Sequence, residues 1–218
     1  MPQTLTIAVC ISDEVTLSDF ITPSKSSPVS TTRTTRFSAP PWGTSLVSFQ
    51  GRNAPTLNPT LTYGEAIATG RQFDVLWVPA GPGGDYRPGP GVALIPKEEI
   101  AFIAQQAPKA KYVMSVCAGT VQLALAGVLA GKRATTNKAF YRAIVAATPN
   151  NIEWVPKARW VVDGNVWTAS GVTAGSDMAL AFVEHLVGAK VARHIRGVVE
   201  IPQVTENDDP FAAFHGLV

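Results

Sequence analysis

The sequence predicts an α/β protein, a three-layer α/β/α sandwich with helices on both faces of a mostly parallel sheet. Three observations carry that expectation. Residues 5–11 (LTIAVCI), 73–78 (FDVLWV) and 112–116 (YVMSV) are short, continuous apolar runs, as expected of strands buried on both faces. Helical stretches alternate with these runs instead of being gathered at one end of the chain. Finally, residues 111–133 (KYVMSVCAGTVQLALAGVLAGKR) read as a strand, a cysteine, two small residues and a helical stretch ending at Gly131. That is the order of a nucleophile elbow, in which a sharp strand-to-helix turn lifts a side chain above the sheet.

Taken in order, the first strand at 5–11 leads into DEVTLSDFITP (13–23), a polar turn carrying Glu14 and Asp19. Residues 24–42 are rich in Ser, Thr and Pro, have no apolar period and read as a variable surface loop. A strand is expected at 44–49 and a short helical piece near 65–69. The strand at 73–78 runs into PAGPGGDYRPGPG, a Gly- and Pro-rich loop. Pro96 then precedes a helix at 97–107, in agreement with the preference for proline at a helix start. After the elbow come a short strand at 133–136 and a helix at 138–147, stopped by Pro149. A hairpin is expected at 158–170 with Asp163-Gly164-Asn165 at its turn, followed by helices at 175–187 and 189–199. The tail 202–218 reads as irregular.

At 218 residues the chain suits one domain spanning 1–218. The net charge of +2 is scattered along the chain, so nucleic acid is not an expected partner. The apolar stretches fall short of a membrane span, and MPQTLTIAVCI lacks the basic region of a signal peptide, so a cytoplasmic protein is expected. Cys10 and Cys117 lie in different strands, which argues against a disulfide framework and against a cysteine zinc site.

Cys117 has two readings, a small buried hydrophobe or a nucleophile, and the Ala118-Gly119 turn favours the second. A helix beginning beside the sulfur is expected to lower the thiol pKa. The N–H groups of Ala118 and of Gly81, in the loop after the 73–78 strand, are candidate donors to a developing negative charge. None of the three histidines, His185, His194 and His215, follows a strand end where a Cys-His dyad would put it. Asp19 is the better base, because strand C-termini of a parallel sheet line one crevice and a carboxylate there would be partly desolvated. Its other reading is a turn or N-cap residue. Glu14 competes for the same role. Asp163 reads as a turn residue and Asp177 as a helix-start residue, while Trp77, Trp154, Trp160 and Trp167 read as core or interface.

These stretches resemble the PfpI/ThiJ superfamily, the class I glutamine amidotransferase-like fold, and within it the isonitrile hydratase-like branch. SVCAGTVQLALAGVLAGKRATT (115–136) is similar to that branch's S-V-C-T-G segment with its following helix and L-x-G-R-R-A-T-T-H strand. DEVTLSDFITP is similar to P-E-V-x-x-L-D-x-x-G-P, VPAGPGG (78–84) to I-P-G-G-x-G, and DGNVWTASGVTAGSDMAL (163–180) to D-G-N-x-x-T-x-x-G-x-T-A-G-I-D-x-A-L. The resemblance implies a flavodoxin-like sandwich, Cys117 as nucleophile, Asp19 as acid/base, Gly81 and Ala118 as backbone donors, and no cofactor. It further implies a small-molecule substrate, hydration of an isonitrile through a thioimidate, and a homodimer with the site near the subunit contact. The chain departs from the branch in having Ala118 for Thr, Asn137 for His, and a Ser/Thr/Pro-rich stretch at 24–42 where the family builds a helix. Asn137 and Glu14 are candidate supporting residues. Other thiol chemistry, such as a glyoxalase or deglycase reaction, and a non-catalytic redox sensor are the competing expectations.

Overall fold

The computed structural model describes residues 4–12, 15–16, 19–20, 34–37 (backbone only), 59–81 and 94–218. Its main sheet has six strands, β1 (Ile7–Cys10), β2 (Thr34–Phe37), β3 (Val75–Val78), β4 (Tyr112–Val116), β7 (Trp160–Asp163) and β8 (Val166–Ala169). They lie side by side as β2-β1-β3-β4-β8-β7. All neighbours are parallel except β7 and β8, the hairpin read from Asp163-Gly164-Asn165. A second sheet pairs β5 (Arg133–Ala134) with β6 (Glu153–Trp154). The order of the first five strands is that of a doubly wound fold, whose direction of winding reverses between β1 and β3.

Strand side chains alternate between two cores. Val9, Val75, Trp77, Met114, Val116, Trp167 and Ala169 pack on one face of the sheet, against Met178 and Phe182 of α5 (Val172–Val187). Ala8, Cys10, Leu76, Val78, Val113 and Val166 face the other way. There they meet Tyr63 of α1 (Tyr63–Thr69), Phe102 and Ile103 of α2 (Lys97–Gln106), and Leu123 of α3 (Thr120–Leu125). This period of two, with both faces apolar, explains why the strands read as unbroken hydrophobic runs. Helix α4 (Tyr141–Ala147) follows β5, and α6 (Ala189–Val199) packs on α5.

Three expectations need correction. Residues 34–37, read as loop, form β2 parallel to β1. Among the described residues β2 pairs with β1 alone, and this pairing is a backbone property that no apolar period has to mark. The tail is not wholly irregular, because Phe211–Phe214 form the short helix α7. The helix after the elbow is shorter than its composition implies: α3 ends at Leu125, and turns with left-handed Gly127 and Gly131 carry the chain to β5. The strand expected at 44–49 lies outside the described residues.

The end of β3 bears directly on the elbow. A Cβ on Gly119 would collide with the carbonyl oxygens of Val78 and Pro79, so α3 can approach the strand end only through glycine. Gly119→Ala should therefore destabilise the protein by about 1–3 kcal/mol, the usual cost of overpacking. Urea unfolding checks this; an unchanged midpoint would show that the two segments are not in contact.

Candidate active site

The elbow is built by backbone geometry. Val116 ends β4 with φ −124° and ψ 139°, and Cys117 then turns to φ 59°. A left-handed backbone at a residue other than glycine costs roughly 1–3 kcal/mol and persists only where its surroundings enforce it. Here the enforcement is a set of buried hydroxyls. The Cys117 carbonyl accepts from Thr120 Oγ1 at 3.1 Å and from Thr136 Oγ1 at 3.0 Å, while Ser115 Oγ lies 3.2 Å from Thr120 Oγ1. The neighbouring Thr135 N–H donates to Thr168 Oγ1 at 2.9 Å, tying the segment to β8. Beneath the elbow, a Cβ on Gly175 would stand 2.6 Å from Val116 Cγ1, so α5 comes close there through glycine as well.

The sulfur lies under cover, with Cys117 8% exposed. Asn137 Nδ2 donates to Sγ at 3.2 Å. The amide cannot be reversed without loss, because Asn137 Oδ1 accepts from Ala139 N–H at 3.0 Å. Asn137 thus occupies the place where the resembled branch has histidine, but its amide nitrogen donates to the sulfur and, unlike an imidazole, cannot take up a proton.

Asp19 is fully buried. Its Oδ2 accepts from Ala80 N–H at 3.1 Å, its carbonyl accepts from Trp77 Nε1 at 3.0 Å, and Thr16 N–H donates to Ala80 O at 2.9 Å. These bonds zip the segments following β1 and β3 together at the point where the winding reverses, which is where such sheets form their crevice. Trp77, read as a core or interface residue, therefore also holds the candidate base. Asp19 Oδ1 has no hydrogen-bond partner. Burial pushes the Asp19 carboxyl up to about 6, against the pull of the Ala80 N–H.

The thiol goes the opposite way to the expectation from the helix start. Burial, and then the charge of Asp19, push Cys117 up to about 12, with the Ala118 N–H and the Asn137 amide drawing it back. Desolvation of the thiolate and a carboxylate of like sign outweigh what a six-residue helix offers. Near pH 7 the site therefore holds a protonated thiol beside an ionised carboxylate. The Ala118 N–H acts on the cysteine's own sulfur, whereas the expectation had it open to a substrate. Gly81 is half-buried against Ser12 and Gln122. Glu14 lies outside the described residues.

Several contributors were not read from the sequence. Lys138, next to Asn137, donates to Thr135 Oγ1 at 2.6 Å and pairs with Asp209 Oδ2 at 3.4 Å, both side chains being buried. Burial lowers the Lys138 pKa and Asp209 raises it again. The tail is anchored further by Arg142, which donates to the carbonyls of His215 and Gly216, and by Arg159 N–H, which donates to Glu206 O. No sequence spacing joins Lys138 to Asp209. Asp177 is not a helix-start residue but the partner of Arg159, with Nη2 to Oδ2 at 2.6 Å. Asp163, beyond its turn, accepts from Arg133 N–H at 2.8 Å. His185 packs among Tyr112, Trp167 and Phe182, with Nε2 3.2 Å from Tyr112 Oη, while His194 is exposed on α6. No group of three or more His, Cys, Asp and Glu side chains suited to a metal occurs among the described residues. Among them, too, no helix is long and apolar enough to cross a membrane.

The sequence model of the DJ-1/PfpI family matches residues 5–185. The chain belongs to the DJ-1/PfpI family. It is 37% identical over 153 residues, 69% of its length, to an isonitrile hydratase of Pseudomonas putida, and it spans 60% of that relative. Among solved structures it is similar to a ThiJ/PfpI family protein from Pseudomonas syringae, with a TM-score of 0.73 and 28% identity over 96% of this chain and 78% of that one. It also shares its fold with DJ-1beta of Drosophila melanogaster, with a TM-score of 0.66 and 18% identity over 92% of this chain and 100% of that one.

The ion pair between Lys138 and Asp209 gives a direct test of how the tail supports this DJ-1/PfpI site. Removing one partner leaves a buried charge uncompensated, so Asp209→Ala should cost about 3–5 kcal/mol in denaturant unfolding. A loss well below 1 kcal/mol would mean that the tail does not brace the segment carrying Asn137.

Proposed function

We propose that the protein is a cysteine-dependent hydratase that converts isonitriles to N-substituted formamides. One observation carries this reading: a strained, buried cysteine stands within the electrostatic reach of a buried carboxylate that has a free oxygen. The 37% identity to an isonitrile hydratase supports the choice of substrate class. The chemistry needs a group that adds to a carbon and a group that moves one proton. Asp19 takes the thiol proton as Sγ bonds to the isonitrile carbon and delivers it to that same carbon, giving a thioimidate. Water then adds to the thioimidate carbon with Asp19 as base. Collapse breaks the C–S bond, returns a proton to sulfur and leaves one on nitrogen, releasing the formamide. The net change is addition of one water, with no oxidant or reductant. Gly81 is the candidate donor to the oxygen of the second step.

The proton rests on the weaker acid of the pair, so its transfer to Asp19 has to be driven by formation of the bond from Sγ to carbon. A thiol that keeps its proton until an acceptor arrives is protected from adventitious oxidation, and the nearby carboxylate is ionised at neutral pH to receive it. A redox-sensor role fits less well, because sensor cysteines are accessible and have a low pKa. A glyoxalase or deglycase reaction fits less well because Asn137 cannot act as a base. Two free cysteines are compatible with a reducing compartment, and the exposed Phe211 and Phe214 of α7 are candidates for a homodimer contact.

With a simple isonitrile as substrate, Cys117→Ala should give no formamide while retaining the wild-type fold. Asp19→Asn should lower kcat/KM by about 10²–10⁴, as expected on losing an acid/base partner. Because the carboxylate is the active form, wild-type kcat/KM should fall as pH drops through about 6, and this acid limb should vanish in Asp19→Asn. Formamide release by Cys117→Ala, or an unchanged acid limb in Asp19→Asn, would refute the assignment.

A further inference from the structure

When the C–S bond of a cysteine adduct breaks, its electron pair returns to Sγ, and the sulfur then carries charge in a buried place. Desolvation disfavours a thiolate there, so C–S cleavage needs a donor aimed at the sulfur itself. Asn137 is such a donor, since its Nδ2 lies 3.2 Å from Sγ. Sulfur is a weak acceptor while it is neutral and a much stronger one once it is charged. The bond therefore gains most of its strength as the charge forms. That is the condition for lowering a barrier rather than for tightening a ground state.

The amide is held for this task by its own segment. Asn137 Oδ1 accepts from Ala139 N–H at 3.0 Å, which turns the nitrogen and not the oxygen toward the sulfur. Before it, Thr136 Oγ1 donates to the Cys117 carbonyl at 3.0 Å, and Thr135 Oγ1 donates to Val155 O at 2.8 Å. After it, Lys138 donates to Thr135 Oγ1 at 2.6 Å and pairs with Asp209. Residues 135–138 are thus each tied down through a side chain. Thr135, Thr136 and Lys138 are buried, whereas Asn137 is half-buried and keeps a face on the open side of the sulfur's cover. A donor whose supports are already bonded needs little reorganisation at the moment of reaction.

We propose that Asn137 is a catalytic residue, which donates to Sγ as the hydrated adduct collapses and so makes the sulfur a competent leaving group. In that step the C–S electron pair passes to sulfur, the O–H bond pair becomes the second bond of the formamide carbonyl, and the hydroxyl proton ends on sulfur. No oxidant or reductant takes part. The donor matters less in the attack, where Sγ bonds to carbon as its proton leaves for Asp19 and never holds a full charge. Asp19 and Asn137 thus have separate tasks: the carboxylate moves protons and the amide steadies the departing sulfur.

The step named here rests on the hydratase reading; donation to a charged sulfur does not. Two variants separate the donor from its surroundings. Asn137→Asp keeps the shape and the acceptor for Ala139 N–H but has no N–H to give, and Asn137→Leu keeps the shape without adding a charge. With a simple isonitrile, both should lose on the order of 10² in kcat, the cost of removing one charge-stabilising donor. Rapid-quench mass spectrometry should then find most of the enzyme as a Cys117 adduct, one isonitrile heavier than the free chain. Independently of isonitriles, alkylation by iodoacetamide, which needs the thiolate, should slow at Cys117 by about tenfold in both variants. Loss of turnover in one variant only, loss without adduct, or an unchanged alkylation rate in either variant overturns the proposal. Slow alkylation in both variants with no formamide from the wild type overturns the hydratase reading and leaves Asn137 as the donor to sulfur.

Discussion

The left-handed backbone at Cys117 is the constraint on which the other features of the site depend. The chain leaves a parallel strand and enters a helix within three residues, and Cys117 absorbs the turn at φ 59°. Its carbonyl is therefore turned away from the strand ladder, and the hydroxyls of Thr120 and Thr136 meet it. Gly119 lets α3 come up against the end of β3, and Gly175 lets α5 come up under Val116. Each of these small or hydroxyl-bearing residues makes sense as a condition for holding one strained residue.

Once the sulfur is buried there, its electrostatics follow. A thiolate would be both desolvated and close to the Asp19 carboxylate, so the proton stays on sulfur and the charge on Asp19. The thiol is the protonated member of the pair and the carboxylate the charged one, so the site holds no preformed thiolate at neutral pH. Asn137 and the Ala118 N–H temper the thiol without reversing that order. The buried Lys138 with Asp209 fixes the segment that carries Asn137, which extends the site's supports to the C-terminal tail.

What the sequence made legible was whatever has a local signature. Apolar runs located β1, β3 and β4, the turn Asp163-Gly164-Asn165 located the β7–β8 hairpin, and Cys117-Ala118-Gly119 located the elbow. The Ser/Thr/Pro composition around β2 concealed a strand, because its ladder with β1 is a backbone property. The pairing of Lys138 with Asp209 and that of Arg159 with Asp177 bring together residues far apart in the chain or a helix turn inside an element, and no spacing rule reveals them. The direction of the Cys117 shift was misread for a related reason. A helix start is visible in sequence, whereas the burial of a sulfur and the distance to a carboxylate are products of the whole fold.

The central claim is that Cys117 keeps its proton at neutral pH and gives it up only when a substrate arrives, with Asp19 as acceptor. Titration of thiolate ultraviolet absorbance, taken as the difference between wild type and Cys117→Ala, tests this without any assumption about the substrate. The account predicts no thiolate from Cys117 at neutral pH, ionisation only near 12, and a lower value in Asp19→Asn, where the repelling charge is gone. A Cys117 thiolate already formed at pH 7, or a titration that does not respond to Asp19→Asn, would contradict it.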